Sequence, residues 1–516
     1  VTVSRRAVLR AGALLGVGAL AAGCADDQDT RSVSAAALGP SKHGGVLRVG
    51  ITGGSAADGL DPHHPPTYTD QARVSNLYEP LFVHDVAYNI LPVLAESIEP
   101  SDHGRTWTLR LRDGVEFHNG KRLDVDDVIF TFHRIIGTSA NNGAAALSII
   151  DLAGLRRLDA RTLRIPLTQP YALFQDELAQ YYNAVVPVGF DPAKPVGTGP
   201  FRLGAFTPGD RSSFPRFTGY WRGDQPYVDE LVIIDFADDE AQLEALLRGE
   251  VEAIDNLAPE RIATVKAAGG NVLVSETGNW TPFTMRVDTP PLADPRVRQA
   301  LRLVVDREQM VSQALNGQGR IGNDLYAPFD VCYAKQLPQR QQDLDQARSL
   351  LRSAGHPGLQ LEIVTSDAID AAAVAAARLF ADQAAGAGID VRVRVVDSGV
   401  FYGNDYLSWD FAQDYWYTRS YLPQVGQGSL PNAPYNECHW NDPTFNSLIA
   451  SARAELDSAR RNRLLQDAQQ LEYDHGGYVV WGFKNQVDAY TNKVTGFIPD
   501  RGLPLSSFQF RTVSFV

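Results

Sequence analysis

A mixed α/β architecture with open sheets, in more than one lobe, is predicted by three features of this 516-residue sequence. Its second half alternates: a helical pattern over 344–354, a strand over 360–365, a helix over 371–385 and a strand over 390–396, the order that lays helices on sheets. A hydrophobic content of 44% supplies a large core, and the length exceeds what one core organises, so two or three domains or lobes are expected. No internal repeat is apparent.

The elements follow in order. Residues 45–51 (GVLRVGI) alternate as a strand that ends at Gly53-Gly54. A short strand over 107–111 precedes a helix over 123–136, with Asp124 or Asp126 placed to cap it. Strands over 155–158 and 162–167 are separated only by a turn. A strand over 230–234 leads into a helix over 239–248, stopped by Gly249. Helices over 295–305 and 307–316 come next. A long helical run covers about 444–473, and short strands over 478–481 and 487–490 close the chain.

The first two dozen residues read as an address. Ser4-Arg5-Arg6-Ala7-Val8-Leu9-Arg10 is a twin-arginine signal, and the apolar run from Ala11 to Ala22 is too short to span a bilayer. It ends in Leu20-Ala21-Ala22-Gly23-Cys24, which resembles the lipobox of bacterial lipoproteins, with Ala21 where that pattern prefers Leu. The resemblance implies cleavage of 1–23 and lipidation of Cys24. Residues 24–43 carry few large apolar side chains and read as a flexible tether. An exported protein, held by lipid to the outer face of the cell membrane (extracytoplasmic or periplasmic), is expected.

The formal charge of -14 becomes more negative once Arg5, Arg6 and Arg10 leave with the signal, which argues against nucleic acid as a partner. With Cys24 assigned to lipid, Cys332 and Cys438 remain as an even pair in an oxidising compartment. A disulfide between them is expected, the other possibility being two separate buried thiols.

Four blocks carry a family resemblance: Leu60-Asp61-Pro62-His63; residues 107–134 (WTLRLRDGVEFHNGKRLDVDDVIFTFHR); Pro195-Val196-Gly197-Thr198-Gly199-Pro200-Phe201; and Asp294-Pro295-Arg296-Val297-Arg298-Gln299-Ala300-Leu301, running on to Asp306-Arg307. In this order and spacing they resemble the extracytoplasmic solute-binding proteins of family 5, a group that includes dipeptide-, oligopeptide- and nickel-binding receptors of ABC importers. The resemblance covers the chain from Gly44 onward. It implies a two-lobed periplasmic-binding-protein-like fold with a hinge: lobe I over 44–286 plus 487–516, with an extra subdomain near 78–194, and lobe II over 287–486. It further implies a monomer that takes a peptide or other small polar solute and delivers it to permease subunits, with no cofactor and no metal.

One stretch points to a site without that resemblance. Residues 401–421 (FYGNDYLSWDFAQDYWYTRSY) hold nine aromatics, against 9% in the whole chain. Half of them serve as ordinary core; the remainder exceed what one short element can bury and suit a ligand pocket. By the resemblance Tyr415, Trp416 and Tyr417 face the ligand. Arg419 stands where peptide receptors carry the aspartate that pairs with a peptide amino group, which argues for a carboxylate, phosphate or sugar hydroxyl partner; the plainer reading is that Arg419 pairs with a neighbouring acid. On the facing lobe the resemblance places Thr52-Gly53-Gly54-Ser55 and Asn279-Trp280.

Other classes are less well supported. The sequence has no G-x-S-x-G elbow, H-E-x-x-H or Walker loop, and Gly197-Thr198-Gly199, followed by Pro, reads as a turn. A non-enzyme is expected. The alternatives are a sensor or chaperone-like lipoprotein of the same fold, or an exported enzyme; neighbouring permease genes and turnover assays separate them.

Overall fold

The computed structural model describes residues 42–516. The signal, Cys24 and all but the last two residues of the tether lie outside the described residues.

Two main sheets organise the chain. The first has the strand order Asn271–Asn279, Gly482–Tyr490, Ala253–Ile254, Val46–Thr52, Glu230–Phe236, Arg211–Pro215, Ala205–Thr207, with Gly319–Ile321 pairing to Gly482–Tyr490. Val46–Thr52 runs parallel to both Glu230–Phe236 and Ala253–Ile254. The second sheet has the order Asp390–Val395, Gln360–Thr365, Phe411–Gln413, Phe283–Met285, Tyr478–Val479, parallel in its first three strands. A third, antiparallel sheet of Ala95–Ser101, Thr106–Leu111, Thr162–Pro166 and Arg156–Arg157 packs with helix Val125–Ile136. That helix settles the capping alternative. Asp124 is its cap, and the Asp127 carboxylate returns the bond to the Asp124 N–H in a capping box.

The alternation over 344–396 forms as expected, with the second helix at Ala373–Ala385. The long run over 444–473 is instead two helices, Pro443–Ala454 and Ser458–His475. Glu455 turns extended, and the Asp457 side chain accepts from the Arg460 N–H at 2.8 Å, which starts a new helix where periodicity alone showed one.

The sequence blocks that carried the resemblance have structural duties. Arg302 is fully buried, and its guanidinium donates to the carbonyls of Tyr478 at 3.0 Å and Gly476 at 2.6 Å. Arg298 donates to His475 O at 2.6 Å. Together they fix the turn that delivers the chain into Tyr478–Val479. The 195–201 block is held by Thr198, whose hydroxyl donates to buried Glu79 at 3.0 Å. A Cβ at Gly197 would lie 2.0 Å from Leu77 O, so this turn requires glycine. In the 60–63 block, Arg134 grips Asp61 at 2.9 and 2.5 Å, and His63 Nε2 meets Ala184 O at 2.9 Å. Burial depresses the His63 pKa to about 4.

The expected disulfide is not formed: Cys332 and Cys438 are separate buried thiols. Each has its own surroundings, which is why no bridge joins them. Gln469 Nε2 donates to Cys332 O at 2.9 Å with Cys332 Sγ at 3.7 Å. Cys438 sits against Gly477, where a Cβ would come within 2.7 Å of its Sγ.

Candidate solute-binding cleft

Two direct strand-to-strand crossings join the two main sheets. Strand Asn271–Asn279 continues through Trp280 and Thr281 into Phe283–Met285, and Tyr478–Val479 returns through Val480 and Trp481 into Gly482–Tyr490. The crossings border a cleft of ≈ 690 Å³. It lies past the carboxyl ends of parallel strands in both sheets, where open α/β sheets place ligands. Val46–Thr52 delivers Thr52 to it, and the connection after Gln360–Thr365 delivers 368–372.

The aromatic wall is built by alternation. Trp416 N donates to Trp280 O at 2.9 Å and Trp280 N to Trp416 O at 3.0 Å, an antiparallel bridge between the first crossing and the segment after strand Phe411–Gln413. Strand-like geometry sends Trp416 inward and its neighbours outward. Trp416 is 6% exposed, whereas Tyr415 and Tyr417 are 39% and 38% exposed. Trp416 stacks on Trp280 at 6.0 Å, Trp280 on Tyr326 at 5.3 Å and Tyr326 on Tyr421 at 5.3 Å, a ladder that carries the wall into the core. Tyr415 and Tyr417 meet edge to face at 5.4 Å in the cleft. Asn279 Oδ1 accepts from Thr418 N at 2.9 Å and so holds the segment in register.

Behind this wall Asp414 accepts from Tyr406 Oη and from the Tyr415 N–H, both at 2.8 Å. Burial pushes its pKa up to about 6. The opposite wall has a similar buried acid. Asp255 accepts from the Thr52 N–H at 3.1 Å and from Gln242 Nε2 at 2.6 Å. Burial, then the charge of Asp488, pushes its pKa up to about 7; burial pushes Asp488 up to about 6. Asn256 and Gln486, which line the cleft, are tied to this acid pair: Asn256 N donates to Asp488 at 3.2 Å and Gln486 Nε2 donates to it at 2.7 Å.

Of the residues expected at the ligand, Thr52, Asn279, Trp280, Tyr415, Trp416 and Tyr417 all line the cleft. Gly53, Gly54, Ser55 and Arg419 do not. Gly53 N donates to Phe236 O of the neighbouring strand at 2.8 Å and Ser55 N to Asp58 within its own turn at 2.8 Å, so these backbone groups are already bonded. Arg419 is turned behind the wall. Its guanidinium lies 5.7 Å from the Trp416 ring centroid and donates to Gln424 at 3.3 Å. The next residue explains the turn: Ser420 Oγ donates to Asp176 at 2.8 Å, drawing the chain toward helix Phe174–Glu177 as helix Tyr421–Gly428 begins.

Sequence reasoning missed Tyr68, Asp239, Asn256, Glu260, Asp370, Tyr402, Lys484 and Gln486, all in the lining. Asp239 and Asp370 were findable. Asp239 opens the helix after a parallel strand and Asp370 lies between such a strand and its helix, the positions from which such folds reach ligands. Tyr402 belongs to the aromatic stretch already singled out. Lys484 and Gln486 lie on the returning strand, where nothing local marks them.

Comparison with known proteins gives the family. The model of the bacterial extracellular solute-binding proteins, family 5, matches residues 89–430. The glutathione-binding protein GsiB of Escherichia coli strain K12 is 26% identical over 480 residues, covering 87% of this chain and 92% of that protein. Among solved structures, the ABC transporter substrate-binding protein CtaP of Listeria monocytogenes aligns with a TM-score of 0.81 at 20% identity, covering 92% of this chain and 100% of that one. The periplasmic binding protein DppA of Helicobacter pylori, in complex with the peptide STSA, aligns at 0.76 and 22% identity, covering 92% and 98%. These two share the two-lobed fold. The chain therefore belongs to the bacterial extracellular solute-binding proteins, family 5.

Proposed function

We propose that this chain captures a peptide or other small polar solute in the cleft between its two sheets and presents it, as a monomer, to the permease of an ABC importer. Lobe I (44–286 and 487–516, with the subdomain near 78–194) and lobe II (287–486) act as the two jaws. The protein stands outside the membrane, exported through its twin-arginine signal and held by lipid on Cys24. It turns nothing over: the cleft binds and releases.

The observation that carries this reading is the pair Tyr415 and Tyr417. Both leave more than a third of their surface open inside a cleft whose other wall comes from the first sheet. Aromatic faces open to a concavity with a few polar groups suit a small organic ligand. The cleft's ≈ 690 Å³ accommodates a peptide of a few residues. GsiB is named for glutathione and DppA was solved with a peptide, which agrees with a ligand of this size.

Native mass spectrometry of protein purified from its own cells tests the reading. The wild type should carry a small molecule that the Tyr415→Ala/Tyr417→Ala variant has lost; equal loading of both would move the site elsewhere. A fatty-acid probe should label the wild type and not Cys24→Ala; label that persists in the variant contradicts the anchor.

A further inference from the structure

Carboxylates outnumber cations in the cleft. Its lining holds three carboxylates, Asp239, Glu260 and Asp370, against a single cation, Lys484. Lys484 is already engaged, its ammonium 2.7 Å from Asp370. Asp239 and Glu260 are in no ion pair among the described residues; Asp239 accepts only the Thr52 hydroxyl, at 2.9 Å. Two arginines near the aromatic wall and the returning strand Gly482–Tyr490 are engaged elsewhere. Arg419 lies behind Trp416, and Arg320 is 3.4 Å from Glu276. A concave surface lined by one sign focuses its potential on whatever enters.

The facing wall has matching chemistry. Tyr402, Tyr415 and Tyr417 line the cleft with aromatic rings, and Tyr402 Oη is buried with no hydrogen-bond partner among the described residues. Asn485 Oδ1, on the crossing strand, is likewise buried and unpartnered among them, an acceptor awaiting an N–H or O–H. Ring faces attract cations, and more so where water is displaced. The walls are independent in sequence, yet both favour the same kind of group.

We propose that the solute this cleft selects carries a positive charge, an ammonium or guanidinium group, held between the tyrosines of one wall and the Asp239 and Glu260 carboxylates of the other. This rests on the reading of the cleft as the solute site. It reverses the preference for electronegative ligands that Arg419 suggested from sequence alone, because the arginine is not in the cleft and the acids are. Anionic solutes meet two unpaired carboxylates with no free cation to offset them.

The test uses the N-acetylated forms of three tripeptides that differ in one side chain, Gly-Phe-Lys, Gly-Phe-Gln and Gly-Phe-Glu, so that the lysine side chain is the only ammonium, offered as an equimolar mixture to ligand-stripped full-length protein. The retained fraction is quantified by mass spectrometry. Gly-Phe-Lys should be retained at least tenfold over Gly-Phe-Glu, with Gly-Phe-Gln between. The Asp239→Asn/Glu260→Gln variant should bring the three within about threefold of one another, and high salt should narrow the wild-type preference. Equal or preferential retention of Gly-Phe-Glu, or no retention of Gly-Phe-Lys, overturns the proposal. A Tyr415→Ala/Tyr417→Ala control separates the two readings. If retention is Tyr-dependent but charge-blind, the cleft is the site and only the charge inference fails. If retention ignores the tyrosines, the location of the site fails with it.

Discussion

Trp280 and Trp416 exchange both backbone hydrogen bonds, at 3.0 and 2.9 Å, and stack their indoles 6.0 Å apart with planes 16° from parallel. One follows the last strand of the first sheet before the crossing, and the other follows a strand of the second. The contact therefore ties the aromatic wall to the crossing between the sheets.

Tryptophan and tyrosine in this wall should separate on mutation. Trp416→Ala removes a nearly buried ring from the ladder and should cost about 3–5 kcal/mol of stability, read by chemical unfolding. Tyr417→Ala, at a half-open position, should change stability by about 1 kcal/mol or less while weakening solute binding by about 1–2 kcal/mol, read by calorimetry. Equal stability losses for the two would remove the inside-outside alternation on which the site rests.

Arg419→Ala should leave solute affinity within about threefold of wild type, since the side chain is bonded to Gln424 and stacked behind Trp416. Arg419→Asp should instead destabilise the protein by roughly 1–2 kcal/mol, because it places a carboxylate near Asp176 and buried Glu177, whose pKa burial already raises and the Arg419 charge only partly offsets. Calorimetry and thermal unfolding of both variants decide it.

Asp255, at about pH 7, and Asp488, at about pH 6, hold their protons to higher pH when folded than the usual aspartate value of 3.8. Between about pH 4 and 7 the folded state then binds more protons than the unfolded one, so these groups make stability fall as pH rises. Their contribution is fully present below the unfolded pKa and is lost as pH passes the folded values. Asp255→Asn keeps an acceptor for the Thr52 N–H and should flatten this decline in Tm. A slope unchanged from wild type would contradict the buried-acid account.

Cys332 and Cys438 should both resist a thiol reagent in the native protein and react in denaturant without prior reduction, because burial raises both thiol pKa values and no bond joins them. Non-reducing peptide mapping should recover the two cysteines on separate peptides.

Much of the fold was legible because local chemistry fixes it. The capped helix after Asp124, the Gly249 stop and the alternation over 344–396 each follow from short-range rules, and the structure keeps them. The split of 444–473 was not legible from periodicity, which continues across the break; only the cap at Asp457 marks it. In the site, the aromatic stretch stood out by composition, and Thr52, Asn279, Trp280 and Tyr415 to Tyr417 do line the cleft. Arg419 was misplaced because a residue's direction in a connection depends on what its neighbours bond, here Ser420 to Asp176 across 244 positions. Lys484 and Gln486 were invisible for a related reason. They enter the cleft through a strand whose partners are distant in sequence.

Hydrogen exchange on solute-loaded against stripped protein tests the central claim most directly. Binding between the lobes should raise protection together around Thr52, residues 256–260, residues 368–372 and residues 415–417, which belong to both walls and share only the cleft. Protection confined to one wall, or rising at a surface away from these segments, would contradict capture between the two sheets.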